Sequence, residues 1–338
     1  MLIDLPGLLA RTHIVSLPLR TRFRGVTHRE AALFTGTVTV AGQPVWSEFS
    51  PFLEYGVPEA STWLAAALEY GFDPALQRFG SGSVLVNATV PAVRAAEVPR
   101  VLAPFGNCEV VKVKVAETGQ QLCDDLARLE AVRDALPGAR MRIDANRGWS
   151  LDAAADALVA IAAAGIELEY AEQPVATIAE LAQLRERLRE LGIATPIAAD
   201  ESVRKANDPL EVARAGAADH VVVKVQPLGG ITRAAKVVAQ ARLTATVSSA
   251  LETSVGTVMG AQLAARLPEP RFAAGLGTVS LFAADVLEHP RVPESGRISL
   301  APAVPSSALL AAHAAAPDQQ RWWRERITRC YEHLAASQ

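Results

Sequence analysis

Arg140-Met141-Arg142-Ile143-Asp144, Leu168-Glu169-Tyr170-Ala171-Glu172 and Pro196-Ile197-Ala198-Ala199-Asp200 decide the fold, because each is a short strand-like run closing on an acid. Their acids stand 28 residues apart, about the length of one strand–helix unit, so a parallel sheet returns all three to one rim. The same rhythm continues outward. From about residue 84, short β-branched runs alternate with Ala/Leu/Arg segments of helical period, the mark of repeated βα units. Eight strands are expected, at 84–89, 110–115, 140–144, 167–171, 197–199, 220–225, 244–248 and 271–274, enough to close a barrel. Helix-ending glycine or proline falls just before the next strand in Leu136-Pro137-Gly138, Ala164-Gly165 and Leu191-Gly192.

The beginning and end read differently. A small antiparallel sheet around 37–40 and a helix near 61–70 suggest a separate cap, and the tail after about Val279 has no room for another βα unit. The expected class is α/β: a TIM-like (β/α) barrel over residues 84–278, with an α+β capping domain made of 1–83 and completed by 279–338. A length of 338 residues fits this division, since such barrels take about 200 to 250 residues.

A net charge of −3 without a Lys/Arg block argues against nucleic acid and anionic membranes as partners. A small-molecule carboxylate is expected instead. Cys108, Cys123 and Cys330 match no zinc or disulfide spacing and read as packing residues of a reducing compartment. With Asp4 where a signal peptide needs positive charge, and an apolar stretch at 157–166 too short to span a bilayer, a cytoplasmic location is expected.

The chemistry follows from where charge falls. Asp144, Glu172 and Asp200 each end a strand, where barrel enzymes keep their sites. Converging anions call for a cation, and oxygen ligands without His or Cys point to Mg²⁺, with Mn²⁺ or Ca²⁺ able to use the same donors. Taken singly, each acid reads equally well as a helix cap or an arginine partner. In Val111-Lys112-Val113-Lys114-Val115, period-two alternation puts both lysines on one face. Alone, that pattern describes an exposed antiparallel ribbon; inside a βα series it sends the lysines into the barrel. Lys224, in the sixth strand, repeats it from across the barrel. Lysine at its ordinary pKa is a poor base, and bringing Lys114 toward neutrality takes about 4 kcal/mol of differential interaction. Lys112 on the same face and a nearby dication are the expected sources. Such parts suit removal of a proton α to a carboxylate.

In this order, Lys112-x-Lys114, Asp144-Ala145-Asn146, Glu172-Gln173-Pro174, Ala199-Asp200-Glu201-Ser202 and Lys224 resemble the enolase superfamily, in its muconate-lactonizing subgroup, a group that uses a Lys or His base with magnesium. Within that subgroup, Arg22-Phe23-Arg24-Gly25, Trp46-Ser47-Glu48-Phe49 and the run 248–254 resemble the o-succinylbenzoate synthase family of menaquinone biosynthesis. That resemblance implies Lys114 as the base and Lys224 as the group facing the intermediate. It also implies Asp144, Glu172 and Asp200 as metal ligands, with Asn146 and Glu201 supporting them. Arg24, Ser248 and Ser249 become candidates for the succinyl end of a substrate, against the plainer readings of a solvated cap charge and helix-capping hydroxyls. Gly275 and Gly277 either admit substrate closely or simply turn the chain.

Three alternatives share these residues, one of them muconate cycloisomerisation or another reaction of the subgroup, set apart only by cap and pocket contacts. Two lysines on opposite faces also serve racemisation of an N-acyl (N-succinyl) amino acid. Dipeptide epimerases of the subgroup carry Asp-x-Asp after the last strand, where this chain has only Asp285 in Ala283-Ala284-Asp285. A catalytically silent barrel acting as a binding protein is the rival from another class.

Overall fold

The computed structural model describes residues 2–23, 25–204 and 209–337. Near the amino terminus β1 (Thr12–Phe23), β2 (Val26–Val40) and β3 (Gln43–Phe49) form an antiparallel sheet in that order. Ala41 and Gly42 link β2 to β3 with φ of 51° and 76°, the doubly positive backbone of a two-residue hairpin turn. Arg20 and Arg22 lie in β1, one arm of the β1–β2 hairpin.

The helix Val57–Phe72 lies on this sheet, burying Trp63, Leu64 and Ala67 with Leu33, Phe34 and Phe49. The final helix Pro317–Ala336 packs on it in turn, and its Trp323, Ile327 and Cys330 enter the same core. Contact is closest at Gly36, where a Cβ would stand 2.2 Å from the Gly71 carbonyl oxygen. Only hydrogen fits there.

The second core belongs to a parallel sheet of β5 (Ala88–Val90), β6 (Val110–Lys114), β7 (Arg140–Asp144), β8 (Leu168–Glu172), β9 (Ile197–Ala199), β10 (His220–Val223) and β11 (Thr244–Val247), seven neighbouring strands among the described residues. Helices Leu122–Ala135, Leu151–Ala163, Ile178–Glu190 and Ile231–Ala241 cover its outside, meeting the odd-numbered valines 111 and 113 of β6. The expected eighth strand at 271–274 is reduced to two bridges. Ala274 pairs with Val86 and Gly275 with Ser248, and hydrogen bonds from Ala274 N to Leu85 O (2.7 Å) and Gly275 N to Val247 O (2.8 Å) close the ring.

The expected strand at 84–89 is divided. β4 (Ser83–Leu85) pairs antiparallel with β12 (Arg297–Ser299) of the tail, while β5 pairs with β6. Asn87 marks the break, its side chain donating to Ala88 O at 2.9 Å. No described helix is long and apolar enough to cross a membrane.

The lower barrel is polar. Fully buried Arg142 donates to Ala273 O at 2.7 Å and lies over the Tyr170 ring. His220 stacks on that ring and reaches the Thr244 and Thr246 hydroxyls at 2.7 and 2.8 Å. Side chains from several strands thus fill the barrel floor and support the rim above it.

Candidate active site

Parallel pairing sets the rim. Lys114 stands opposite Asp144, and Asp144 opposite Glu172; Asp200 follows the end of β9 and Lys224 the end of β10. Asp144, Glu172 and Asp200 are only 2, 1 and 6% exposed, a cost that buried carboxylates bear only when their charge is compensated. They line a cavity of about 400 Å³ together with Lys112, Lys114, Lys224, Asn146 and Glu201.

The lysines meet the acids directly. Lys112 Nζ lies 3.2 Å from both Glu172 oxygens and 3.1 Å from Asp144 Oδ2. Lys114 Nζ donates to Asp144 Oδ2 at 2.6 Å and Asn146 Oδ1 at 2.5 Å, and Lys224 donates to Asp200 Oδ1. Burial works against the charge of Lys112, but Glu172 and Asp144 outweigh it and raise its pKa well above the ordinary lysine value. Burial likewise opposes ionisation of Asp144, yet Lys112 and Lys114 hold it well below the usual carboxylate range. Glu172 is a weaker acid than Asp144: burial and the negative charge of Asp144 push it up to about 7 against the pull of Lys112. In sequence Lys112 reads as a like charge facing Lys114. In the structure its ammonium reaches across to the next two strands.

Among the described residues, no three His, Cys, Asp or Glu side chains form a closed ligand cluster; Lys112 lies between Asp144 and Glu172, while Lys114 and Lys224 each pair with one acid. The donor set nevertheless suits a hard dication: buried oxygens and no nitrogen or sulfur ligand. Asp144 and Asp200 both raise Glu172, so the acids lie within electrostatic reach of one another, a repulsion that a cation relieves.

Asn146 ties two rims together, accepting from Lys114 and donating through Nδ2 to Glu201 Oε1 at 3.3 Å. Gln173, in sequence only the middle of Glu172-Gln173-Pro174, is fully buried, and its side-chain amide is fully engaged. Its Oε1 accepts from the Asp200 and Ser202 N–H groups at 3.1 and 3.2 Å; its Nε2 donates to Val175 O at 3.0 Å and Ser202 Oγ at 2.8 Å. It fixes the backbone that presents Asp200.

Of the residues singled out for a substrate arm, Ser248 lines the cavity beside Gly275, and Gly277 lines it further along. Ser249 also borders it, but its hydroxyl is bound to Glu252 and, at 2.5 Å, to Thr278 Oγ1. Arg24 lies outside the described residues. The remaining wall includes Thr21 and Phe52 from the cap, Pro91, Phe105 and Leu281. No sequence period marks these, because they come from separate loops, a strand end and the ends of two short 3-10 helices, Ala103–Phe105 and Gly277–Leu281.

The cap is bound to this wall through Glu48. Its carboxylate accepts from Ser50 Oγ (2.6 Å), Thr253 N (3.1 Å), Thr253 Oγ1 (2.6 Å) and Gly256 N (3.0 Å), capping the helix Ser254–Ala264. Burial and nearby Glu252 push it up to about 7. Asp285 takes the Ser254 N–H at 3.1 Å, so this acid is spent on the same helix end.

Residues 94–305 match the family described as Enolase C-terminal domain-like, and 14–71 match Enolase N-terminal domain-like. The chain is 52% identical over 327 residues to the o-succinylbenzoate synthase of Mycolicibacterium smegmatis, covering 97% of each. It is 50% identical to that of Mycobacterium marinum, covering 98% of this chain and 96% of the relative. The fold is shared with an L-Ala-D/L-Glu epimerase from Bacillus subtilis (TM-score 0.71, 22% identity, 87% of this chain and 96% of that one). It is shared equally with the muconate lactonizing enzyme of Pseudomonas putida (TM-score 0.69, 19% identity, 90% and 98%). Lysines paired with strand-end acids, a cap locked to the barrel and these full-length likenesses agree: the chain belongs to the enolase superfamily, among the o-succinylbenzoate synthase family of its relatives.

Proposed function

We propose that the protein is a metal-dependent hydro-lyase that dehydrates 2-succinyl-6-hydroxy-2,4-cyclohexadiene-1-carboxylate to o-succinylbenzoate. The observation that carries this reading is the placement of Lys114 and Lys224 on one cavity with β7, β8 and β9 between them, flanking Asp144, Glu172 and Asp200. Relatives of about 50% identity over nearly the whole chain support the substrate. Asp144, Glu172 and Asp200 are the proposed ligands of a divalent ion, Mg²⁺ or Mn²⁺, with Asn146 and Glu201 holding the ligand strands in register. When bound, that ion supplies positive charge to the substrate carboxylate.

Lys114, as the free amine, takes the proton α to the carboxylate, and the electron pair of that C–H bond passes onto the carboxylate as an enediolate. Lys224 faces this dianion from the other side and compensates its charge. Collapse of the enediolate expels the β-hydroxyl, which takes the proton back from Lys114 and leaves as water, and the ring becomes aromatic. Lys112, spent between Asp144 and Glu172, keeps the acids compensated throughout. Asp285 caps a helix, which removes the acid a dipeptide amine would need and disfavours peptide epimerisation.

The test sets dehydration of the cyclohexadiene carboxylate beside racemisation of an N-succinyl amino acid, each with Mg²⁺ and with chelator. Metal-dependent dehydration is expected to dominate; dominant racemisation replaces the reading. Lys114→Ala and Lys224→Ala are each expected to lower dehydration by roughly 10² to 10⁴-fold while calorimetric metal binding survives. Absence of α-proton exchange with deuterated solvent under every condition would make the barrel a binding protein.

A further inference from the structure

Arg128 and Asp125 lie on the helix Leu122–Ala135, outside the cavity, and are 0 and 2% exposed. They form an ion pair at 2.7 Å. A buried pair of this kind adds little to stability, because desolvation consumes most of its attraction. Two of its further hydrogen bonds hold the turn that carries Lys114. Arg128 Nη1 donates to Lys114 O at 2.8 Å, and Asp125 Oδ2 accepts from Ala116 N at 3.1 Å. The two charges thus grip the backbone on both sides of Val115. Ala116 is held there at φ 60°, a conformation that a non-glycine residue keeps only when its surroundings impose it.

The grip extends to a neighbouring strand. Arg128 Nε donates to Val93 O at 2.6 Å and Nη2 to Gln120 Oε1, while Gln120 Nε2 donates to Ala92 O at 2.8 Å. Residues 91–93 follow β5, and Pro91 is part of the cavity wall. One guanidinium therefore joins the ends of β5 and β6 to the helix between β6 and β7. Its planar fork matches these acceptors in a way a lysine ammonium does not.

We propose that the Arg128–Asp125 pair is a positioning device for Lys114: it fixes the backbone from which the base reaches the α-proton, without touching substrate. This rests on the reading of Lys114 as the base. Misplacing a reacting group by about an ångström costs up to roughly 100-fold in rate, a loss that a merely structural role, once the folded fraction is corrected for, does not produce.

The test is the double variant Asp125→Leu/Arg128→Met, beside Arg128→Lys, which keeps the charge but not the fork. The double variant is expected to melt below the parent, because it leaves backbone groups unpaired, yet to fold and show kcat for dehydration, and the rate of α-proton exchange, lowered roughly 10 to 100-fold with KM nearly unchanged once the folded fraction is corrected for. Arg128→Lys is expected to show the same split. Parental kcat in either folded variant overturns the proposal, as does a loss that disappears once the folded fraction is corrected for. If the double variant does not fold, Arg128→Lys alone decides. Lys114→Ala is the control: if it keeps parental exchange, Lys114 is not the base and the positioning role falls with that reading; if it abolishes exchange while Arg128→Lys retains it, only the positioning role falls.

Discussion

His220 is 2% exposed on the barrel floor, between the hydroxyls of Thr244 and Thr246 and against the face of Tyr170. Burial, with Arg142 nearby, lowers its pKa from 6.5 to about 3, so the folded protein keeps it neutral where the unfolded chain takes up a proton. Its contribution is therefore complete above pH 6.5 and is lost as pH falls toward 3, at up to about 1.4 kcal/mol per pH unit. Between pH 7 and pH 5 the parent is expected to lose about 2 kcal/mol more stability than His220→Gln, read from urea unfolding of both proteins at each pH. Equal losses would show that His220 does not titrate in this way. The alternation that sends Lys224 inward is legible in Val-Val-Val-Lys; the structure adds His220 to the same inward face. The partners of His220 are not legible there, because Tyr170 and Thr246 come from strands 50 residues before it and 26 after it.

Among the elements, β2 and the helix Val57–Phe72 meet at Gly36, where a Cβ would face the Gly71 carbonyl oxygen at 2.2 Å and the Val45 carbonyl oxygen at 2.5 Å. Backbone at such distances cannot yield as a side chain tip can. Gly36→Ala is expected to destabilise the fold by about 1 to 3 kcal/mol or more, lowering the urea midpoint with little change in slope; an unchanged midpoint would mean that sheet and helix separate freely. The strand positions at 110–115 and 140–144 were readable because β-branched or alternating residues stop at an acid or lysine. Sequence alone predicts one strand at 84–89 and a full strand at 271–274, whereas the structure has two pieces and two single bridges. Both differences have one cause: β4 is recruited by β12, more than 200 residues away, and Ala274 and Gly275 bond to their neighbours at single points. Pairing partners, rather than propensity, set those lengths.

At the scale of the molecule, the cap and barrel share apolar packing, since Val45, Ala66 and Tyr70 enter the barrel core and Leu251, Val255 and Val258 the cap core, and Glu48 adds a polar joint whose carboxylate satisfies the N–H groups of Thr253 and Gly256. Arg29 of β2 adds a bond to Leu251 O at 3.0 Å, and Leu251 belongs to the cavity wall with Phe52 and Thr21 of the cap. Glu48→Ala leaves two buried N–H groups without an acceptor, at about 1 to 3 kcal/mol each. The expected outcome is a lower melting temperature together with reduced kcat/KM, as the wall at 248–251 loosens; reduced stability with unchanged kcat/KM would separate the joint from the site. The sequence by itself determined the barrel class, the carboxylate trio and the lysine faces, because residue period and βα spacing are local quantities that repeat along the chain. Only the tertiary structure decided which ammonium meets which acid, how Gln173 and the Arg128–Asp125 pair hold the rim, and how the cap locks onto a barrel helix. Those depend on groups brought together from distant parts of the chain, where burial strengthens every charge contact and makes each unpaired polar atom costly.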